Sequence, residues 1–184
     1  MAFAATYDAC ILYPAGMRDL LIRLAMTGLF RAVWSDQILD EMVRSILHNR
    51  PDLTTAQLDR TRQLMCDAVP DCLVTGHDCL IEALVLPDPN DRHVLAAAIR
   101  SGSQVIVTEN LKDFPPEALS PYGVEAQPPD LFLLHLIDLS PTTVAATIER
   151  QAAALKHPPI TVAELLDRLA DSGLPRSVAA LRQR

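Results

Sequence analysis

The chain has 184 residues, of which 49% are apolar, and its formal net charge is −7. This length and composition predict one globular domain with an ample core, with room for a small appendage. The negative charge argues against a domain that binds nucleic acid through a basic surface. It remains compatible with an enzyme whose metal ion supplies positive charge at a phosphate.

The lack of a recognisable secretion signal or membrane span, together with the cysteine spacing, predicts a cytoplasmic protein. The first residues lack the basic segment, apolar stretch and cleavage site of a secretion signal. No run approaches the roughly 18 uncharged apolar residues that a membrane span needs. The four cysteines form no C-x-x-C pair, which favours reduced thiols. A metal site from Cys72, His77 and Cys79 is a weaker alternative, because it lacks paired-ligand spacing.

Short apolar runs alternate with helical patterns through the first half of the chain. Strands are predicted at residues 3–7 and 31–34, with a helix between them that stops near Gly28. Ser35 is a suitable N-cap for the next helix, and a further helix is predicted over residues 54–69. A third strand is predicted at residues 72–75.

The alternation continues through the second half. Asp88 suits an N-cap and Pro89 the first position of a helix that has Asp91 in its first turn and ends at Gly102. A buried strand is predicted at residues 104–108 and an edge strand at 122–126. Such alternation predicts a three-layer α/β/α domain with a central, mostly parallel sheet.

The composition changes near residue 131. Residues 131–137 are apolar nearly all round, which predicts burial in the core or in a partner. Residues 140–184 are helical in pattern, and Thr161 with Glu164 forms a capping box. We therefore expect a body at residues 1–138 and a helical C-terminal extension at 139–184. The extension either caps the sheet or offers a surface for dimerisation or partner docking.

Asp8, Glu41 and Asp91 each lie where a short apolar run gives way to a turn or helix, and Thr108 with Asn110 closes the last buried strand. Taken singly, these residues could be a turn former, a solvated helix acid and a helix-dipole acid. In a parallel sheet, however, the strand ends converge on one crevice. Carboxylates that meet there repel one another unless a cation neutralises them, so the joint pattern predicts a divalent-metal enzyme.

Motifs of rival enzyme classes are absent from the sequence. There is no G-x-x-x-x-G-K-[ST] or G-x-G-x-x-G, so a glycine loop that cradles phosphate is not expected. There is no G-x-S-x-G, which argues against a nucleophile-elbow hydrolase. The segment Asp8-Ala9-Cys10 also lacks the second acid of an aspartyl-phosphate hydrolase or a response-regulator receiver.

Four segments resemble the PIN domain, the nuclease fold of VapC-type toxins in bacterial toxin–antitoxin pairs. The resemblance covers roughly residues 3 to 125, and its third and fourth segments are the specific ones. The segments are Tyr7-Asp8-Ala9, Leu39-Asp40-Glu41-Met42, Asp88-Pro89-Asn90-Asp91-Arg92-His93-Val94-Leu95-Ala96-Ala97-Ala98 and Val107-Thr108-Glu109-Asn110-Leu111-Lys112-Asp113-Phe114.

The resemblance implies Mg²⁺- or Mn²⁺-dependent cleavage of RNA. It assigns the metal to Asp8, Glu41 and Asp91, and the fourth catalytic position to Asn110, where the family usually has Asp. The missing charge implies a more weakly bound second metal, unless Asp113 or Asp88 substitutes. Thr108 matches a threonine whose hydroxyl orients a ligand or water.

Arg92 and His93 flank Asp91, where they could meet substrate phosphates; Arg92 could equally be a surface residue. The resemblance also implies a cognate antitoxin and a possible homodimer as partners. Two other functions stay open: a catalytically weak RNA-binding or interaction module, favoured by Asn110 and the acidic charge, and a DNA-directed nuclease.

Overall fold

The computed structural model describes residues 3–183. In that range four strands form one sheet in the order β2-β1-β3-β4, and every neighbouring pair is parallel. The strands are Ala4–Tyr7 (β1), Arg31–Val33 (β2), Val105–Val107 (β3) and Glu125–Gln127 (β4). The predicted parallel α/β fold is confirmed.

Helices flank this sheet and make up the C-terminal part of the chain. They are Ala9–Leu12 (α1), Ala15–Ala25 (α2), Asp36–Asn49 (α3), Thr55–Ala68 (α4), Asp78–Ile81 (α5), Arg92–Ser101 (α6), Pro116–Leu119 (α7), Pro129–Leu139 (α8), Pro141–Ala154 (α9), Val162–Asp171 (α10) and Pro175–Arg182 (α11). Three single 3-10 turns lie at Pro89–Asp91, Leu111–Asp113 and Ser120–Tyr122.

Local side-chain chemistry fixes several helix ends as the sequence predicts. The Ser35 hydroxyl accepts the Ile38 N–H at 3.3 Å at the start of α3. The capping box of Thr161 and Glu164 opens α10. Gly102 ends α6 in the left-handed conformation, with φ 67°, which glycine adopts at little cost.

Two local predictions need correction. Residues 72–75 do not form a strand: only Leu73 pairs with Trp34, in an isolated parallel bridge. Asp71 and Gly76 bracket this segment with positive φ angles of 56° and 70°, so the extended run is too short for a ladder. The helix expected to start at Pro89 begins as a 3-10 turn, and α6 proper starts at Arg92.

The core is one continuous cluster that includes both the sheet and the C-terminal helices. All four residues of β1 are buried. Phe132 of α8 packs edge-on against Tyr7 and Phe30, with ring centroids 6.4 and 5.1 Å away. The apolar segment at 131–137 therefore contributes to the chain's own core.

The helices after residue 140 pack against the body: α9 and α10 contact α2, and α11 contacts α8. Asp130 accepts the backbone N–H groups of Arg176 and Ser177 at 3.1 and 2.8 Å, which ties α11 to the start of α8. The division at 138/139 stays a prediction. Within residues 3–183 no single helix is long and apolar enough to cross a membrane; α8 and α9 pass that test only jointly, bent by 119°.

Candidate metal centre

The carboxyl ends of β1 and β3 bring the predicted site together. Tyr7 pairs with Val107, so Asp8 and Thr108 leave the sheet side by side. Helix α3 and the turn before α6 complete an open cleft of about 320 Å³, which we call the acidic cleft. Its lining includes Asp8, Cys10, Glu41, Arg44, Asp91 and Asn110.

Asp8 is held in one orientation by three donors. Its Oδ1 accepts the Ala9 N–H at 2.6 Å, and its Oδ2 accepts the Thr108 hydroxyl at 2.6 Å and the Cys10 thiol at 3.2 Å. Only 6% of Asp8 is exposed. These donors fix the direction of both carboxylate oxygens, so this acid is preorganised as an oxygen ligand.

Glu41 is oriented from the side by a histidine. His93 Nε2 lies 2.9 Å from Glu41 Oε1, and His93 is buried. Arg44, one turn further along α3, lies 4.0 Å from the same oxygen. His93 Nδ1 is buried and has no hydrogen-bond partner within residues 3–183. An ionised carboxylate only accepts hydrogen bonds, so Nε2 must carry the proton that faces Glu41.

Asp91 carries the clearest electrostatic signature. Burial, followed by the nearby charges of Asp8, Asp88, Asp113 and Glu41, raises the pKa of Asp91 to about 6. Like charges that crowd a half-buried carboxyl disfavour its ionised form, and a divalent cation would reverse that effect. The donor set consists of hard oxygens, which Mg²⁺ and Mn²⁺ prefer. The residues present therefore fit a hard divalent cation.

Asn110 links Asp8 and Asp91 through hydrogen bonds and adds no negative charge of its own. Its Nδ2 donates to Asp91 Oδ2 at 3.2 Å, and its backbone N–H donates to the Thr108 hydroxyl at 3.0 Å. Because Thr108 also donates to Asp8, the chain of contacts runs from Asp8 through Thr108 and Asn110 to Asp91.

Asp88, Asp91 and Asp113 form a second grouping beside the cleft. One carboxylate oxygen from each lies within 4.8 Å of the others, a spacing that could hold a metal ion. Asp88 caps the turn before α6 by accepting the Asn90 N–H at 2.8 Å. Asp113 is only 3.9 Å from the exposed Lys112. These acids add negative charge on the side of Asp91 where Asn110 adds none.

Comparison with known proteins decides the family. A family model described as "PIN domain" matches residues 5–112, and one described as "VapC50 C-terminal domain" matches residues 129–183. The chain belongs to the PIN-domain family. The first match spans more than half of the chain and includes every strand end that forms the acidic cleft.

One curated protein is similar to part of this PIN-domain chain. It is "Putative ribonuclease VapC50" of Mycobacterium tuberculosis (strain ATCC 25618 / H37Rv), 46% identical over 93 residues. The aligned part is 50% of this chain and 54% of the relative, so the chain spans about half the length of the curated protein it matches. No solved structure matches the chain.

Sequence reasoning missed several contributors to the PIN domain's site. Cys10 and Arg44 line the acidic cleft, although neither was a candidate. Arg44 could have been found, since it lies three residues after Glu41 on one helix face. His93 contacts Glu41, and its expected role near a phosphate stays a prediction. Arg92 does not line the cleft, and its Nε is buried without a hydrogen-bond partner in the described chain, so its role stays a prediction.

Proposed function

We propose that this PIN-domain protein is a metal-dependent endoribonuclease, the toxin of a VapBC-type pair, that hydrolyses RNA phosphodiester bonds. The observation that carries the proposal is the half-buried Asp91, whose pKa is raised to about 6 by burial and by four neighbouring acids. Such crowding is costly unless a cation is bound. The similarity to "Putative ribonuclease VapC50" gives further support.

In this proposal Asp8 and Asp91 contact the ion, and Glu41 is a direct or water-mediated ligand. When bound, Mg²⁺ or Mn²⁺ would activate a water molecule and neutralise phosphate charge. Thr108 fixes Asp8, and His93 fixes Glu41, so two ligands keep their orientation before the ion arrives. Asn110 donates a hydrogen bond to Asp91 and so helps to orient it.

The charge lost at Asn110 is made up by neighbouring acids. Asp113 and Asp88 approach Asp91 closely enough to share an ion with it. This arrangement favours catalysis over the alternative of a weak RNA-binding or interaction module, which rested on Asn110 and on the net charge. We assign Asp113 and Asp88 supporting roles in metal binding and leave the number of ions to experiment.

The test compares purified full-length variants on a labelled single-stranded RNA in Mn²⁺, Mg²⁺ and EDTA. Asp8→Ala and Asp91→Ala should fold like wild type by circular dichroism and lose at least about 1,000-fold in rate, because each removes a metal ligand. Glu117→Ala, which changes an exposed acid outside the cleft, is the matched control. Full cleavage in EDTA or by both variants would exclude the assignment.

The same assay separates RNA from DNA as the substrate. A single-stranded DNA of identical sequence should resist cleavage in Mn²⁺; preferential cleavage of that DNA would favour the DNA-directed alternative. We further propose a cytoplasmic location, a cognate antitoxin and a homodimer, as the VapC resemblance implies. Co-purification with the product of the neighbouring reading frame, and light scattering of the chain alone, test these partners.

A further inference from the structure

A second cleft adjoins the acidic cleft. It has a volume of about 620 Å³, lies between α3 and α4, and has Asn90 and His93 at one end. We call it the side cleft. Glu41 and Arg44 line both clefts, so the two depressions are continuous along one face of α3. A volume of this size is typical of sites for small organic ligands.

One cation of the side cleft is already paired within the protein. Arg62 Nη1 donates to Asp40 at 2.5 Å and Nη2 to Asp36 at 3.3 Å. Glu41 accepts a hydrogen bond from His93 at 2.9 Å, which orients its carboxylate. The acids of the cleft therefore favour the entry of a neutral group over that of an anion.

The charges that remain are separated in space. Arg44 lies at the junction of the two clefts, its side chain is 74% exposed, and it is 4.0 Å from Glu41, beyond hydrogen-bond distance. Its guanidinium donors are thus available to a ligand. Asp59 lines the wall from α4 and has no ion pair among the described residues. A phosphate is attracted to the junction and repelled from the interior.

Two side-chain amides line the interior. Gln37 Oε1 lies 3.1 Å from His77 Nε2, which leaves the amide N–H groups of Gln37 available. Asn90 is exposed, and its side chain makes no hydrogen bond within residues 3–183. An amide can donate and accept at once, which matches the edge of a nucleobase. Among the residues that line the side cleft, the only aromatic ring is the buried imidazole of His93, which is already hydrogen-bonded to Glu41, so no extended stacking platform is provided.

We propose that the side cleft holds an unpaired base of single-stranded RNA beside the scissile phosphate, with Arg44 binding the phosphate at the junction and Gln37 and Asn90 contacting the base edge. The base must be unpaired, because pairing would hide the edge that the amides contact. The inference rests on the proposed ribonuclease function and adds a source of base preference to it.

The cleavage test uses full-length protein and a random-sequence single-stranded RNA pool in Mn²⁺, with the fragment ends sequenced. Wild type should favour particular bases at one position next to the cut. Gln37→Ala and Asn90→Ala should reduce that preference by about 10-fold while cleavage continues, since each removes a base-edge contact. Arg44→Ala should lower kcat/KM about 10-fold for all sequences and leave the preference unchanged.

Matched controls change the same residue types outside both clefts. Arg60→Ala on α4 and Asn49→Ala at the end of α3 should keep the wild-type rate and base preference. If Gln37→Ala and Asn90→Ala also keep that preference, or if wild type has none, the side-cleft assignment is overturned while the nuclease stands.

A binding measurement separates failure of the side cleft from failure of the nuclease. Fluorescence anisotropy measures the binding of the Asp8→Asn variant to short labelled RNA pools, each enriched in one base. If binding depends on the base and this dependence disappears when Asn90→Ala is added, the side-cleft assignment is supported. If, in addition, wild type cleaves no RNA, only the nuclease proposal fails. Base-independent binding without cleavage would overturn both.

Discussion

The acidic cleft gathers side chains that repel one another, whereas residues 140–183 gather side chains that are held together by excluding water. In and beside the cleft, burial and the charges of four neighbouring acids raise the pKa of Asp91. In the extension, Leu165, Leu169 and Val178 are buried in the same cluster as the sheet. The comparison teaches that the first region carries a repulsion that a bound cation would offset, whereas the second is stabilised by burial.

The extension approaches the loop after β3 near Gly173. A Cβ added to Gly173, between α10 and α11, would lie 3.2 Å from Glu109 Oε1. Glu109 sits between Thr108 and Asn110, and burial together with the charge of Asp130 raises its pKa. The loop that carries part of the candidate site is therefore packed against the extension.

The largest expected effect is a loss of packing. Phe132→Ala in α8 should lower the free energy of unfolding by about 3–5 kcal/mol, because the ring is fully buried and no polar group compensates for the cavity. Urea unfolding, followed by the fluorescence of the buried Trp34, measures it. Leu139→Ala, on the same helix but 59% exposed, should stay within about 0.5 kcal/mol. Equal effects at the two positions would contradict the view that α8 stabilises the fold by burial.

The contact between the regions gives a smaller effect. Gly173→Ala should cost about 1–3 kcal/mol, since φ is +102° and the new methyl group would crowd Glu109. Gly16→Ala in α2 is the matched control: it has open space and an ordinary φ, so a gain of about 0.5 kcal/mol is expected. If Gly173→Ala leaves stability unchanged in urea unfolding, the site loop and the extension are not held together as described.

The smallest expected effect concerns Asp91 in the acidic cleft, where a substitution should raise the free energy of unfolding. The folded pKa of Asp91 is raised to about 6, above its unfolded value, so ionisation destabilises the fold as pH rises from about 4 to 6. Asp91→Asn removes that cost. Because Asp91 is only half-buried and solvent screens its charge, we expect a gain of only about 1 kcal/mol at pH 7.5 in EDTA.

The pH dependence checks the cause of that gain. Asp91→Asn should be no more stable than wild type at pH 4, and saturating Mn²⁺ should reverse their order at pH 7.5, because the ion binds only the folded wild type tightly. Urea unfolding at both pH values, with and without Mn²⁺, measures both differences. A gain that is equal at pH 4 and pH 7.5 would show that repulsion at Asp91 is not its source.

Local signals were sufficient for much of the fold. Ser35, Thr161 and Gly102 act as caps or stops through contacts within a few residues, so their roles follow from nearby sequence. The prediction of a strand at 72–75 was wrong because positive φ angles on both sides limit the extended segment. A residue such as Asp71 does not indicate a positive φ angle in the sequence.

For the site, the sequence predicted which residues come together more readily than which side chains surround them. Asp8, Glu41, Asp91 and Asn110 line one cleft, although their individual roles stay predictions. The contact of His93 with Glu41 joins residues 52 positions apart, and no periodicity predicts such a pair.

By itself, the sequence determined the alternation of strands and helices and the position of Asp8 and Thr108 at the ends of apolar runs, because both depend on neighbours in the chain. The tertiary structure alone decided that α8 packs against Phe30 in the core, that Asp113 approaches Asp91, and that a side cleft opens at Arg44. These features depend on distances between remote segments, which are set only when the parallel sheet forms and its strand ends meet.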